Sequence, residues 1–156
     1  MITQIEIKEK SRENGVPVST IERDYAQNWL LKLLSSFPSI ALKGGTGIKK
    51  VYIGNYRFSD DLDFSLLEEE NKENLEFLIK ESVKKAKEES GINFSDDISI
   101  DENDNGFEMD VYFQIMQRGE SRTRIKIDIT KFKNEEILLP LYTRKIIHPY
   151  SDDLNA

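Results

Sequence analysis

The feature that most constrains the fold is the alternation of polar and apolar residues along Asp61–Leu66, which reads Asp-Leu-Asp-Phe-Ser-Leu. A two-residue period is that of a β-strand, because successive side chains point to opposite faces of a sheet. Asp61 and Asp63 therefore share a polar face, while the apolar face needs a core to cover it. Three later segments are also predicted to be strands: residues 92–100, 108–116 and 122–130.

Helices are predicted before and between these strands. A capping box at Ser19–Glu22 precedes apolar residues at four-residue spacing, which predicts a long amphipathic helix that ends near Ser36. A short buried strand is expected at Ser39–Leu42. This order favours an α/β (α+β) fold, with a mixed sheet flanked by helices, over a doubly wound parallel sheet. The other predicted helices span residues 3–14, 46–52 and 71 or 72 to 90.

Charge and cysteine content exclude several classes of protein. The 156 residues carry 29 acidic side chains against 22 Lys and Arg, a formal net charge of −7, so any contact with nucleic acid must be local. The absence of cysteine excludes a disulfide scaffold, a thiolate zinc site and a cysteine nucleophile. No apolar run approaches the roughly 18 residues of a membrane span, and the first ten residues lack the order of a signal peptide. We expect a single cytoplasmic domain over residues 1–156.

A glycine turn follows the short buried strand. Gly44 and Gly45 have no Cβ, so their backbone amides can approach a triphosphate closely, and Thr46 adds a hydroxyl at the start of the predicted helix 46–52. The turn is therefore predicted to bind phosphate groups.

The aspartates of the alternating strand are predicted to bind metal. The α-carbons of Asp61 and Asp63 are about 6.5 Å apart on one face, close enough for their carboxylates to share divalent ions. On the polar face of residues 122–130, Asp128 offers a third carboxylate beside Lys126. Carboxylates that hold two Mg²⁺ ions can activate an attacking oxygen and neutralise a pyrophosphate leaving group, as in nucleotidyl transfer. Lys126 and Arg57 would offset phosphate charge.

Several assignments have alternatives. Glu108 and Asp110 compete with Asp128 for the role of third carboxylate, since they lie on another predicted polar face. Ser59 shares the face of Asp61, where it either orients a carboxylate, touches a phosphate or forms a turn. Asp60 points away and is interpreted as a solvated or capping residue. Three arginines form a basic cluster: Arg118, Arg122 and Arg124. This cluster is either a local contact for nucleic acid or the ordinary exposed face of a hairpin.

Together, these segments resemble the AbiEii/AbiGii toxin family of DNA polymerase β-like nucleotidyltransferases. The resemblance rests on Leu42–Thr46, Arg57–Phe64 and Lys126–Asp128, with Glu22–Tyr25 upstream. It implies N-terminal helices over residues 1–38 and a catalytic core over 39–131. It also implies transfer of a nucleoside monophosphate from an NTP, with Mg²⁺, to an acceptor that is tRNA in some members. The proteins of this family are toxins of type IV toxin–antitoxin and phage-defence systems, so a cognate antitoxin is a candidate partner.

The chain departs from this family in two places. The family commonly continues into a helical C-terminal region with an Asp-x-x-Lys-x-x-Asp motif, which is missing from the 28 residues after Asp128. Gly47-Ile48 stands where the family tends to have a small residue followed by Leu. We therefore expect residues 132–156 to begin a truncated C-terminal region. Two alternatives stay open: a nucleotidyltransferase acting on a small molecule or protein, and an inactive NTP- or metal-binding fragment.

Overall fold

The computed structural model describes residues 1–54, 57–116, 122–132 and 144–152. Their helices are α1 (Gln4–Asn14), α2 (Val18–Leu34), α3 (Gly44–Gly47), which continues as a π-helical turn (Ile48–Tyr52), and α4 (Lys72–Ser90). Their strands are β1 (Ile40–Lys43), β2 (Asp61–Leu66), β3 (Asn93–Phe94), β4 (Ile100–Glu102), β5 (Gly106–Gln114) and β6 (Thr123–Thr130).

Local capping explains where α1 and α4 begin and end. The Thr3 hydroxyl accepts a hydrogen bond from the N–H of Glu6 at 3.1 Å, and the Asn71 side chain accepts one from the N–H of Asn74 at 2.8 Å. Gly15 and Gly91 end the two helices in the left-handed conformation, which costs glycine little because it has no Cβ. These predicted boundaries are confirmed.

The predicted capping box of α2 is wrong. The helix begins at Val18, after Pro17, and no side chain caps it. Ser19 lies inside the first turn, and Glu22 is buried rather than bonded back to a cap. Burial raises the pKa of the Glu22 carboxyl, although a hydrogen bond from the N–H of Met116 opposes the shift. Tertiary packing thus placed Glu22 against the core, where the local pattern predicted a surface contact.

The described strands form one mixed sheet in the order β1-β2-β6-β5-β3, with β4 also paired to β5. β2 and β6 run parallel, and the other pairs are antiparallel. The predicted mixed α/β fold is therefore confirmed.

The strand predicted over residues 92–100 is instead two short strands, β3 and β4, both paired with β5. Between them the Ser95 hydroxyl accepts a hydrogen bond from the N–H of Asp97, and the Asp96 carbonyl accepts one from the N–H of Ile98. Such local bonds compete with a continuous ladder.

The turn predicted at Asn105-Gly106 is confirmed. The Asn103 side chain accepts hydrogen bonds from the N–H groups of Asn105 and Gly106, at 2.9 and 3.0 Å. Gly106 is required there, because a Cβ would lie 1.9 Å from the carbonyl oxygen of Ile129. The second predicted turn, at Arg118-Gly119, lies outside the described residues.

The two faces of the sheet differ in character. One face packs in the core with α2 and α4, and its residues on β2, β5 and β6 are at most 5% exposed. The other face is polar and partly exposed. The core residues contributed by β2, β5 and β6 include Leu62, Phe64, Met109, Val111, Phe113, Ile125, Ile127 and Ile129.

Residues 144–152 pack back onto the N-terminal helices. The Ser151 hydroxyl donates to Glu6 at 2.5 Å, and the Tyr150 hydroxyl donates to Asp24 at 2.5 Å. Asp24 also accepts from the buried Lys50 ammonium at 2.8 Å. Burial lowers the pKa of Lys50, while the Asp24 carboxylate opposes that shift. This polar cluster joins three segments that are far apart in the chain.

Candidate active site

The parallel pairing of β2 with β6 gathers the predicted carboxylates. In this register Asp63 lies opposite Asp128, and Asp61 lies opposite Lys126. Paired residues on neighbouring strands point to the same face and are about 4.8 Å apart. The Lys126 ammonium lies 3.8 Å from the Asp128 carboxylate. The structure therefore brings four predicted residues into one patch: Asp61, Asp63, Asp128 and Lys126.

Lys43 joins this patch from β1, where it is paired with Asp63. Its ammonium donates a hydrogen bond to the Thr130 hydroxyl at 2.8 Å. Sequence reasoning assigned no role to Lys43. Its position directly before the glycine turn was the available signal, but only the β1–β2 pairing shows that it faces the aspartates.

Two carboxyl groups of the patch, those of Asp63 and Asp128, have raised pKa values. Burial raises the pKa of Asp63, and the Asp61 carboxylate raises it further against the opposing effect of Lys43 and Lys126. Burial also raises the pKa of Asp128; Lys126 opposes this shift, whereas Asp63 is among the acidic neighbours that add to it. Raised pKa values mean that the negative charges are incompletely compensated, so a bound cation would stabilise the ionised forms.

The glycine turn lies directly against these groups. Gly44 has a φ of 74°, and a Cβ there would lie 2.6 Å from the Asp63 carboxylate. A Cβ at Gly45 would lie 3.2 Å from the Arg57 guanidinium and 3.7 Å from the Ser59 hydroxyl. The two glycines therefore leave room for an acidic group on one side and for Arg57 and Ser59 on the other.

Thr46 has a different environment from the one predicted. Helix α3 begins at Gly44 rather than at Thr46. The Thr46 side chain is buried, and its hydroxyl donates to the carbonyl oxygen of Asp61. It thus joins the turn to the start of β2, and the phosphate contact predicted for its hydroxyl stays a prediction.

The rival carboxylates lie one strand further away, on β5. Glu108 is paired with Asp128, and Asp110 is paired with Lys126. Asp110 lies 3.9 Å from the Arg124 guanidinium, which gives it a partner outside the patch. The register thus places β6, and not β5, beside the strand that carries the aspartate pair.

The other residues named from the sequence lie at the margin. Asp60 is exposed, as predicted, and its carboxylate accepts a hydrogen bond from Arg23 at 2.8 Å. Arg122 donates to the Ser95 hydroxyl at 2.9 Å and lies over the Tyr112 ring at 5.3 Å. Arg118 is outside the described residues.

The residues of the patch fit a hard divalent cation that also binds substrate oxygens. Within the described ranges, no group of three or more His, Cys, Asp or Glu side chains is gathered to hold a metal ion unaided. Mg²⁺ does not need one, because it is usually held by one or two carboxylates together with substrate phosphates. Asp63, with its raised pKa and its contact with the glycine turn, has the chemistry that such an ion requires.

Comparison with protein families supplies the decisive observation. The family model described as the nucleotidyl transferase AbiEii toxin of type IV toxin–antitoxin systems matches residues 30–154. The chain belongs to this family. The match spans β1 to β6 and includes every residue of the patch. A comparison with curated proteins finds no significant match.

Membership of the AbiEii family establishes the class of activity. The chain is a nucleotidyltransferase, and it is the toxin type of a type IV toxin–antitoxin system, with a nucleotide as substrate and a cognate antitoxin as partner. Enzymes of this class generally use a divalent metal. None of the helices in residues 1–54, 57–116, 122–132 and 144–152 is long and apolar enough to cross a membrane.

Proposed function

We propose that this AbiEii nucleotidyltransferase transfers a nucleoside monophosphate from an NTP to tRNA and uses Mg²⁺. One observation carries the proposal: β2 and β6 are parallel, with Asp63 opposite Asp128 and Asp61 opposite Lys126. This register combines oxygen ligands for a divalent ion with a cation for phosphate, next to a turn whose two glycines carry no side chain. We place the reaction in the cytoplasm, in toxin or phage defence.

In this proposal Asp61, Asp63 and Asp128 bind the metal. The raised pKa of Asp63 and Asp128 supports this role, because burial and, to a lesser degree, neighbouring carboxylates disfavour their ionised forms, which a bound cation would stabilise. Lys126 lies within 3.8 Å of Asp128 and steadies the nucleotide through its phosphates.

The phosphates lie along the glycine turn. The backbone N–H groups of Gly44, Gly45 and Thr46 donate to them, and the lack of a Cβ on the two glycines lets Asp63, Arg57 and Ser59 lie close against the turn. Arg57 and Ser59, which lie against Gly45, complete the binding surface from the opposite side.

The reaction balances without a further reactant. The acceptor hydroxyl oxygen forms a bond to the α-phosphorus, and the bond from that phosphorus to the bridging oxygen breaks, so that pyrophosphate leaves. The Asp128 carboxylate takes the hydroxyl proton. When bound, Mg²⁺ would acidify the attacking hydroxyl and neutralise charge on the pyrophosphate. Lys126 and Arg57 stabilise the same charge from the protein side.

Basic side chains on β6 support a nucleic-acid acceptor. Arg124 and Lys126 share the polar face of this strand, and Arg122 precedes it in the same alternation. The Tyr112 ring faces Arg122 from β5, which offers an aromatic surface beside the cations. Such a local arrangement suits one end of an RNA in a protein whose overall charge is −7.

A small-molecule or protein acceptor is a second candidate. A cavity of about 500 Å³ on the polar face extends from Lys126 toward β4, and it is a volume suited to a small ligand. Acidic side chains predominate in its lining, which favours an acceptor with amino groups over a polyanion. The charged residues of the lining are Asp97, Asp101, Glu108, Asp110, Arg124 and Lys126.

The test is transfer of label from each of four α-³²P-labelled NTPs, in the presence of Mg²⁺, to total tRNA and separately to total protein. Label on tRNA from one NTP, lost in Asp63→Asn, is the expected result. Label on protein or on a small amine instead would favour the second candidate. If no acceptor is labelled while NTP still binds, the proposal fails in favour of an inactive nucleotide-binding fragment.

A further inference from the structure

The segment 57–60 carries the phosphate-binding side chains proposed above and leads directly into β2. Arg57 and Ser59 both lie against Gly45, and Asp61 follows within two residues of Ser59. The position of this short segment therefore sets the positions of Arg57, Ser59 and Asp61 together. Whatever holds the segment therefore acts on these three side chains of the site.

Two side chains of α2 bind this segment. The Gln27 amide donates to the carbonyl oxygen of Ser59 at 2.9 Å, and the Arg23 guanidinium donates to the Asp60 carboxylate at 2.8 Å. Arg23 and Gln27 are four residues apart, so they lie on one face of the helix. Gln27 is fully buried, and the Arg23 side chain is only 21% exposed.

Arg23 makes a second contact that extends its effect to the neighbouring strand. Its Nε donates to the carbonyl oxygen of Arg124 at 2.9 Å. Arg124 lies at the beginning of β6, two residues before Lys126. One guanidinium thus bridges the entry to β2 and the entry to β6, which are the parallel strands that carry Asp61, Asp63 and Asp128.

We propose that Arg23 and Gln27 are positioning residues that hold the Arg57–Asp60 segment and the β6 entry in the arrangement needed for transfer. The inference rests on the proposed function, because it assigns the segment to phosphate binding. Neither residue touches the substrate. They act through Ser59, Asp60 and the Arg124 backbone, and we name this set of contacts the α2 clamp.

The planar guanidinium is what makes Arg23 suited to this task. Nε and Nη1 are donors held at fixed relative positions, so one side chain binds two acceptors on different strands. Lysine has one ammonium nitrogen and cannot occupy both donor positions. An exposed ion pair by itself adds little stability, so the principal effect of the clamp is on geometry. Misplacing reacting groups by about 1 Å costs up to roughly a hundredfold in rate.

The experiment combines kinetics with amide hydrogen exchange in the full chain. We expect Arg23→Met and Gln27→Met to lower kcat about 10- to 100-fold at saturating NTP, with Arg23→Lys between Arg23→Met and wild type. Exchange of the amides of residues 58–61 should rise in both methionine variants. The matched controls are Arg12→Met and Gln4→Met on α1, which should change neither measurement.

A double-mutant cycle tests the route of the effect. Asp60→Ala removes the carboxylate partner and leaves Arg23 in place, so Asp60→Ala combined with Arg23→Met should lower kcat by less than the product of the single effects. Additive effects would contradict action through Asp60.

The outcomes separate this inference from the proposed function. Unchanged exchange at residues 58–61 in both methionine variants overturns the clamp, and so does increased exchange with a wild-type kcat. If the wild-type protein transfers no label at all, the proposed function fails. The clamp is then tested in the methionine variants by amide exchange at residues 58–61 and by the Kd for Mg·ATP. Faster exchange together with a larger Kd supports the clamp, and no change in either quantity rejects it.

Discussion

Replacing Asp63 with Asn is expected to lower the rate of nucleotidyl transfer about a thousandfold and to stabilise the metal-free protein. Asp63 faces Asp128 across the parallel pair and shares its face of β2 with Asp61. Its raised pKa means that the folded state binds more protons than the unfolded chain between the ordinary and the raised pKa. Stability therefore falls as pH rises through that interval, and the charged carboxylate lowers stability at neutral pH. Asparagine has nearly the same shape and no charge.

Burial is the larger cause of the raised pKa of Asp63, and the contribution of Asp61 can be sized from the spacing of the two carboxylates. Two unit charges about 6.5 Å apart repel by roughly 0.6 kcal/mol in bulk water and about 2.6 kcal/mol at an effective dielectric constant of 20. Asp63 is partly exposed, and Lys43 and Lys126 offset part of the repulsion. We therefore expect a gain of about 0.5 kcal/mol, which corresponds to an increase of about 1–2 °C in Tm. Loss of a metal ligand should remove about 4 kcal/mol of transition-state stabilisation, a rate loss of about a thousandfold.

The assay pairs the ³²P-transfer gel with thermal unfolding in EDTA and in Mg²⁺. Mg²⁺ with NTP should raise the Tm of the wild type more than that of Asp63→Asn, because only a ligand that binds the folded state stabilises it. Asp96→Asn, at an exposed position between β3 and β4, is the matched control and should change neither rate nor Tm. Transfer by Asp63→Asn at the wild-type rate would refute the metal role, and a lower Tm in EDTA would refute the electrostatic argument.

Three further predictions concern the same patch. Gly44→Ala should destabilise the protein by about 1 kcal/mol more than Gly15→Ala, as measured by urea unfolding. Both glycines have a positive φ, but only a Cβ at Gly44 would meet Asp63. Equal losses of stability in the two variants would reject that contact. Asp128→Asn should lower kcat at least about a hundredfold and Glu108→Gln less than about tenfold, and the reverse order would assign the third carboxylate to β5. The raised pKa of Asp63 and Asp128 predicts that Mg²⁺ binding weakens on acidification at a higher pH than it would for aspartates of ordinary pKa, whereas binding independent of pH in a calorimetric titration would contradict this.

Features that depend on neighbouring residues in the chain were predictable. Thr3 and Asn71 cap their helices, and Gly15 and Gly91 end them, because a cap involves atoms only a few residues apart. The alternation through Asp61 likewise identified β2, since it reflects the geometry of the strand itself.

The sequence-based predictions were wrong where tertiary packing overrode a local pattern. Ser19–Glu22 has the composition of a capping box, yet burial of α2 turns Glu22 into the core. Residues 92–100 are apolar enough for one strand, but local bonds of Ser95 and Asp96 divide them into two. In both cases several arrangements satisfy the local pattern, and contacts with distant residues select one.

Residue types and short spacings were enough to establish the mixed α/β class, the boundaries of α1 and α4, the polar face of β2 and the family membership that the motifs indicated. The three-dimensional packing was needed to show that β2 runs parallel to β6, that Lys43 faces Asp63 and that Arg23 reaches both strands. Strand order and register depend on how the apolar faces pack against α2 and α4, and residues about a hundred positions apart can meet only when that packing is complete.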